Sequence, residues 1–199
     1  MTEENPIHPN GTKVSLSRTV STAREMRALG RSLASVLRAG DLVILSGGLG
    51  AGKTTLTQGI GEGLSVRGPI TSPTFVIARV HPPLRTGTGG AGAAGDRPPL
   101  VHVDAYRIGS ALELDDLDLD TDTASSVTVV EWGEGLAEGL SADRLEIAIT
   151  PAAPAALLAA ELHDPDDGVQ DVPRIVRIYA VGERWEGINL PLADLADRL

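Results

Sequence analysis

The chain has no cysteine, which excludes disulfides, thiolate catalysis and zinc–thiolate centres together. Aromatic residues are few, namely Phe75, Tyr106, Tyr179, Trp132 and Trp185, and too scattered to build a base-stacking platform. Basic residues are also short: Lys and Arg total 17 against 27 Asp and Glu, a formal net charge of −10. Such a chain gains no counterion-release drive toward nucleic acid, so any nucleic-acid role has to pass through a partner. No apolar run approaches the roughly 18 residues a membrane helix requires. Met1 to Lys13 contains no apolar stretch resembling a signal peptide and is expected to be a flexible tail. These features fit a cytoplasmic protein. With 199 residues the chain can bury one sizeable core, so residues 14–199 are expected to form a single domain.

Glycine, by contrast, is concentrated where it carries chemistry. Gly47-Gly48-Leu49-Gly50-Ala51-Gly52-Lys53-Thr54-Thr55 matches a phosphate-binding loop (P-loop). The apolar run Asp41 to Ser46 ahead of it reads as a buried parallel strand, and Thr54 to Leu64 behind it continues as a helix. Strand, glycine loop and helix together give the motif its mechanism. Successive backbone N–H groups can turn toward phosphates, and the helix N-terminus adds its partial positive charge. Lys53 would reach the outer phosphates, and the Thr54 hydroxyl would take one place on a magnesium ion. A plain glycine turn leaves the Lys-Thr pair without a structural role. The chain is therefore expected to bind a nucleoside triphosphate through Gly48, Leu49, Gly50, Ala51, Gly52, Lys53, Thr54 and Thr55.

Along the rest of the chain, Val14 to Arg18 alternates like an edge strand. Thr22 to Glu25 has capping-box spacing before an apolar helical face of Met26, Leu29, Leu33, Val36 and Leu37, closed by Ala39-Gly40. Strands are expected at Thr74–Val80, Leu100–Tyr106, Ser126–Trp132, Arg144–Ile149 and Arg174–Val181. Between the first two lies a Gly/Pro-rich inserted loop, residues 82–99, with no second phosphate-loop context. Residues 151–173 are alanine-rich and then acidic and irregular, with a helix expected over Ala155–Leu162. Arg184 to Leu199 forms a tail with weak helical periodicity. The alternation predicts an α/β fold with a mostly parallel central sheet, flanking helices and antiparallel edge strands.

A triphosphate site needs a second metal ligand and a group to align the attacking atom. In parallel sheets these come from strand carboxyl ends. Leu100-Val101-His102-Val103 ends in Asp104, and Val127-Thr128-Val129-Val130 ends in Glu131, each in the Walker B form of an apolar strand terminating in one acid. Either acid alone could instead be solvated in the following turn. Thr71-Ser72-Pro73-Thr74-Phe75 lies where nucleotide switches carry their phosphate-sensing segment, and the Thr74 hydroxyl could meet the γ-phosphate or its metal. The competing reading is an ordinary proline turn into a strand. His102 reads as a packed or hydrogen-bonded core histidine that shares the direction of Asp104 only if the strand bends. Trp132 reads as a packing residue. The acidic run Glu113 to Asp122 has Asp118, Asp120 and Asp122 at calcium-loop spacing. It fails as a calcium loop, because Thr123 and Val129 stand where glycine and glutamate belong.

Taken in order, the blocks Gly47–Thr55, Ser72–Phe75, His102–Arg107 and Val130–Trp132 resemble the TsaE (YjeE-like) ATPases of bacteria, over about Ser15 to Ile149. The resemblance implies the P-loop NTPase fold. It also implies a Mg²⁺-dependent ATPase supporting threonylcarbamoyladenosine synthesis at tRNA position 37, acting on a TsaB–TsaD partner complex and touching tRNA only indirectly. Carried over, Lys53, Asp104 and Glu131 are the catalytic residues, and Thr54, Glu131 and Asp104 the metal set. Ser72 to Phe75 would be the switch. The family commonly has Asp where this chain has Gly48. The Phe75–Asp104 interval is longer than the family's by roughly a dozen residues, an excess a loop absorbs at modest entropic cost. Met26 or its neighbours are the candidates for the adenine pocket, and Arg107 is a candidate charge-stabilising arginine. A nucleotide-gated binding module with incidental hydrolysis and a small-molecule kinase are the competing functions.

Overall fold

The computed structural model describes residues 16–84, 97–115, 123–152 and 172–190. The expectations for the tail, for residues 85–96 of the inserted loop, for the acidic run beyond Asp115, for the Ala155–Leu162 helix and for Leu192 to Leu199 lie outside the described residues.

Among the described residues, seven strands and three α-helices follow one another as β1 Leu16–Val20, α1 Ala23–Ala34, β2 Leu42–Ser46, α2 Lys53–Leu64, β3 Ala78–His81, β4 Leu100–Asp104, α3 Ala111–Asp115, β5 Val127–Glu131, β6 Arg144–Pro151 and β7 Arg174–Val181. All seven strands join one sheet in the order β1-β7-β6-β2-β5-β4-β3. The central strands β6, β2, β5 and β4 run parallel, while β7, β1 and β3 are antiparallel to their neighbours. This is the expected mixed α/β architecture.

Both faces of the central strands are covered, which is why β2, β4 and β5 are apolar almost throughout. On one face Val43, Leu45, Val127, Val129, Leu145 and Ile147 pack against Met26, Leu29 and Leu33 of α1 and Leu56, Ile60 and Leu64 of α2. On the other, Leu42, Ile44, Val101, Val103 and Val130 pack against Ala105, Leu114 and Ala137.

Helix α1 opens as its sequence predicts. Thr22 Oγ1 accepts the Glu25 N–H at 3.1 Å, and the Glu25 carboxylate reaches back to the Ser21 N–H at 2.7 Å. A cap of this kind contributes about 1 kcal/mol. The helix ends sooner than expected, at Ala34. Ser35 Oγ donates to the Ser32 carbonyl at 2.7 Å, and the Ser35 and Val36 amides bond three residues back, which tightens the last turn. Helices α1 and α2 approach through glycine: a Cβ on Gly59 would collide with the Arg27 carbonyl.

Strand β1 runs Leu16–Val20 rather than Val14–Arg18, β4 stops at Asp104 before a 3-10 turn at Ala105–Arg107, and the larger departure is at β3. Pairing of β3 begins at Ala78 rather than Thr74. Pro73 starts a turn, its carbonyl accepting from the Val76 and Ile77 amides at 2.9 and 2.7 Å. Ile77 is then left-handed at φ 68°, a rare state for a β-branched residue that costs on the order of 1–3 kcal/mol. The β-prone side chains Phe75 and Val76 therefore lie on an exposed turn rather than in the sheet.

Candidate functional site

The parallel register decides which side chains meet. Asp104 is the β-pair partner of Glu131, and Leu45, one residue before the end of β2, is the partner of Glu131 on the other side. The carboxyl ends of β2, β5 and β4 thus form one edge, where ligands of open α/β sheets bind. The glycine loop leaves β2 at this edge. Gly47 (φ 141°) runs so close to the Ile149 carbonyl that no side chain fits, and Gly52 (φ 107°) turns the chain into α2. Gly52 makes no side-chain cap. The first backbone bond of the helix runs from the Leu56 N–H to the Gly52 carbonyl at 2.9 Å, so the amides of Lys53, Thr54 and Thr55 precede the intrahelical ladder.

These amides and the strand ends enclose a cleft of about 360 Å³ lined by Leu49 to Thr55, Ser72, Thr74, Asp104, Tyr106, Glu131 and Trp132. Of the residues expected to bind phosphate or metal, Gly48 alone does not line it, yet its carbonyl contributes. Lys53 Nζ donates to the Gly47 and Gly48 carbonyls at 2.7 and 2.9 Å, and stands 3.5 Å from the Trp132 ring centre. The lysine is only 5% exposed. Burial lowers its pKa below the usual 10.5, with Glu131 and then Asp104 pulling the other way.

The two strand-end acids have different partners. Glu131 Oε2 accepts from Thr54 Oγ1 at 3.0 Å. Asp104 Oδ2 instead accepts from Ser72 Oγ at 2.8 Å and Thr74 Oγ1 at 2.5 Å, and Oδ1 from the Tyr106 N–H at 3.0 Å. Both acids are buried, not solvated in the following turns. One links the sheet to the helix, and the other holds the Ser-Pro-Thr segment.

Three expectations about individual side chains are corrected. His102 and Asp104 are two residues apart and so share a strand face without any bend. His102 is otherwise the buried, hydrogen-bonded histidine expected, its Nε2 lying 2.8 Å from Glu131 Oε1. Met26, named with its neighbours for the adenine pocket, is 2% exposed, with its side chain in the core beneath Gly52 rather than open in the cleft. Arg107 lies 4.9 Å from the Phe75 ring centre and does not line the cleft.

Sequence reasoning gave no site role to Trp132 or Tyr106. They follow the two acids by one and two positions, which is the signal that could have found them. Trp132 takes φ 61° immediately after Glu131, and its ring lies 5.2 Å from that of Tyr106. Arg174 Nη2 also donates to the Gly50 carbonyl at 3.2 Å. This contact brings the start of β7 onto the loop, and nothing local in the sequence announces it.

The donor set suits magnesium: Thr54 and the two carboxylates offer hard oxygen ligands. Among the described residues no cluster of three or more His, Cys, Asp or Glu could hold an ion unaided. The free helix amides, Lys53 and the open space around Gly48 and Gly50 suit a phosphate chain. No described helix is long and apolar enough to cross a membrane.

Comparison with known proteins agrees with these features. The family described as "Threonylcarbamoyl adenosine biosynthesis protein TsaE" matches residues 20–156. The Streptomyces coelicolor protein named tRNA threonylcarbamoyladenosine biosynthesis protein TsaE is 56% identical over 161 residues, covering 80% of this chain and 93% of that one. A Bacillus subtilis protein of the same name is 34% identical over 170 residues, covering 85% and 87%. The crystal structure of Bacillus subtilis YdiB superposes with a TM-score of 0.59 at 30% identity, covering 86% of this chain and 88% of that one.

Proposed function

The chain belongs to the TsaE family, which takes part in tRNA threonylcarbamoyladenosine biosynthesis, and from that premise we propose that it is a magnesium-dependent ATPase of the P-loop NTPase fold. The observation that carries this reading is the uncapped start of α2 facing a cleft that holds Lys53, Thr54 and Glu131. In it the amides of Gly50 to Thr55 cradle the phosphates. Lys53 exchanges its Gly47 and Gly48 carbonyls for phosphate oxygens. Thr54 and Glu131 would hold the metal, and Asp104 is the second acid of the cleft. Magnesium, when bound, would neutralise charge on the transferred phosphoryl group. Asp104 also holds the Ser72 and Thr74 hydroxyls, so it can couple the occupant of the cleft to the Ser-Pro-Thr-Phe segment as a switch. The small-molecule kinase loses support, because Arg79 and Arg97, the described arginines beside the inserted loop, do not line the cleft.

The product of hydrolysis is conformational work on a TsaB–TsaD-like complex in the cytoplasm, with tRNA reached only through that complex. Exposed apolar side chains in the cleft wall, Leu49 and Tyr106, and Phe75 next to the lining residue Thr74 support a protein partner closing over it. Calorimetry tests the site: a nonhydrolysable ATP analogue with Mg²⁺ should bind the wild type and fail to bind Lys53→Ala. ATP turnover should be slow alone and accelerated by the partner complex. Turnover on the order of tens per second by the isolated chain, within the range of kinases, would overturn the partner-dependent mechanism.

A further inference from the structure

We infer that His102 is a positioning residue that sets the Glu131 carboxylate for the metal, an inference that rests on the ATPase reading above. Glu131 lies at the end of β5 with its two oxygens held from opposite directions. Thr54 Oγ1 donates to Oε2 at 3.0 Å, and His102 Nε2 meets Oε1 at 2.8 Å. An ionised carboxylate only accepts, so at that distance Nε2 carries a hydrogen.

The ring faces that of His81 at 6.5 Å between centres but makes no second hydrogen bond among the described residues. Nδ1 is buried and has no partner among the described residues, and the imidazole is enclosed completely. A residue kept only to fill this volume would be aliphatic, because burying an unpartnered ring nitrogen is unfavourable. The single polar contact of His102 is therefore the reason for its chemistry at this position.

Its effect is to fix the carboxylate plane. With Oε1 tied to β4, the carboxylate cannot rotate about its terminal bond, and Oε2 stays beside the Thr54 hydroxyl. Metal-binding carboxylates are commonly oriented by such outer hydrogen bonds, and losing one costs ~10–100-fold in metal affinity or activity. His102 touches neither nucleotide nor metal in this account; it acts through Glu131.

The test uses the full chain with a nonhydrolysable ATP analogue and Mn²⁺, read by electron paramagnetic resonance. His102→Leu should weaken Mn²⁺ binding ~10–100-fold while leaving metal-free analogue affinity unchanged. His102→Gln places an amide nitrogen near the Nε2 position and should restore most of the loss. His102→Asn places it near Nδ1 and should not. Thermal melts of all three variants separate this pattern from misfolding. In the wild type, imidazole ¹⁵N shifts should report the Nε2–H tautomer. Wild-type Mn²⁺ affinity in His102→Leu, equal behaviour of the Gln and Asn variants, or an Nδ1–H tautomer would each overturn the inference and leave the ATPase reading standing. Failure of the wild type to bind Mn²⁺ with the analogue overturns both.

Discussion

Thr54 and Glu131 stand 77 residues apart in sequence, and their side chains meet at 3.0 Å, hydroxyl to carboxylate. The contact joins the first turn of α2 to the end of β5. Groups that act on one ligand as a unit are non-additive. Thr54→Ala and Glu131→Gln should each abolish most magnesium-dependent strengthening of nucleotide binding, and the double variant should lose little beyond the worse single one. Calorimetry with and without Mg²⁺ measures all four proteins. Additive losses would show that the pair does not share one ion.

Lys53 makes nucleotide binding depend on pH. Its pKa in the free protein is lowered by burial, whereas phosphates beside it favour the charged form and raise it. Between the two values binding takes up a proton, so affinity falls as pH rises, starting below the ordinary lysine range. Alkaline calorimetry in buffers of different ionisation heat should detect that uptake in the wild type and not in Lys53→Met. The stability sign is the reverse of a salt-bridged lysine. The folded state is penalised below the lowered pKa, and the penalty fades as pH rises toward 10.5. Lys53→Met should therefore raise the Tm of the nucleotide-free protein at neutral pH, with a smaller gain at high pH.

His81 predicts acid sensitivity. It is 4% exposed, and its Nε2 has no partner among the described residues. Burial lowers its pKa below 6.5, a backbone contact with Arg67 opposes this, and His102 and Arg79 add to the lowering. The unfolded chain then takes up its proton first, so stability is lost as pH falls from 6.5 toward the lowered value. Urea unfolding across this range should show the loss, and His81→Phe should flatten it.

Two glycines should respond in opposite ways. A Cβ on Gly59 meets the Arg27 carbonyl, so Gly59→Ala must push α1 from α2 and should cost about 1–3 kcal/mol. A Cβ on Gly48 meets nothing within 4 Å. Gly48→Asp should leave Tm nearly unchanged, and its effect on nucleotide affinity reports what a carboxylate at that loop position does. Thermal melts of the two variants give the comparison.

Much of this was legible in the chain itself because it is local. The loop Gly47 to Thr55, the capping box at Thr22 and the apolar strands ending in Asp104 and Glu131 are written in adjacent residues whose backbone preferences agree. Glycine spacing alone announces a cradle of amides. The left-handed turns at Ile77 and Trp132 were not legible, because side chains of their kind favour extended backbone and only surrounding contacts hold them otherwise. The parity of His102 and Asp104 was there to be counted, but its consequence was not.

What the sequence determined by itself, then, was the chemistry available: a lysine, hydroxyls, two acids and a glycine loop on an α/β frame. The tertiary structure decided the pairings. Glu131 went to Thr54 and His102, Asp104 to Ser72 and Thr74, and Arg174 to the loop. Those choices depend on strand order and register, which arise when distant segments pack into one sheet and bury both its faces, and no short stretch of chain encodes them.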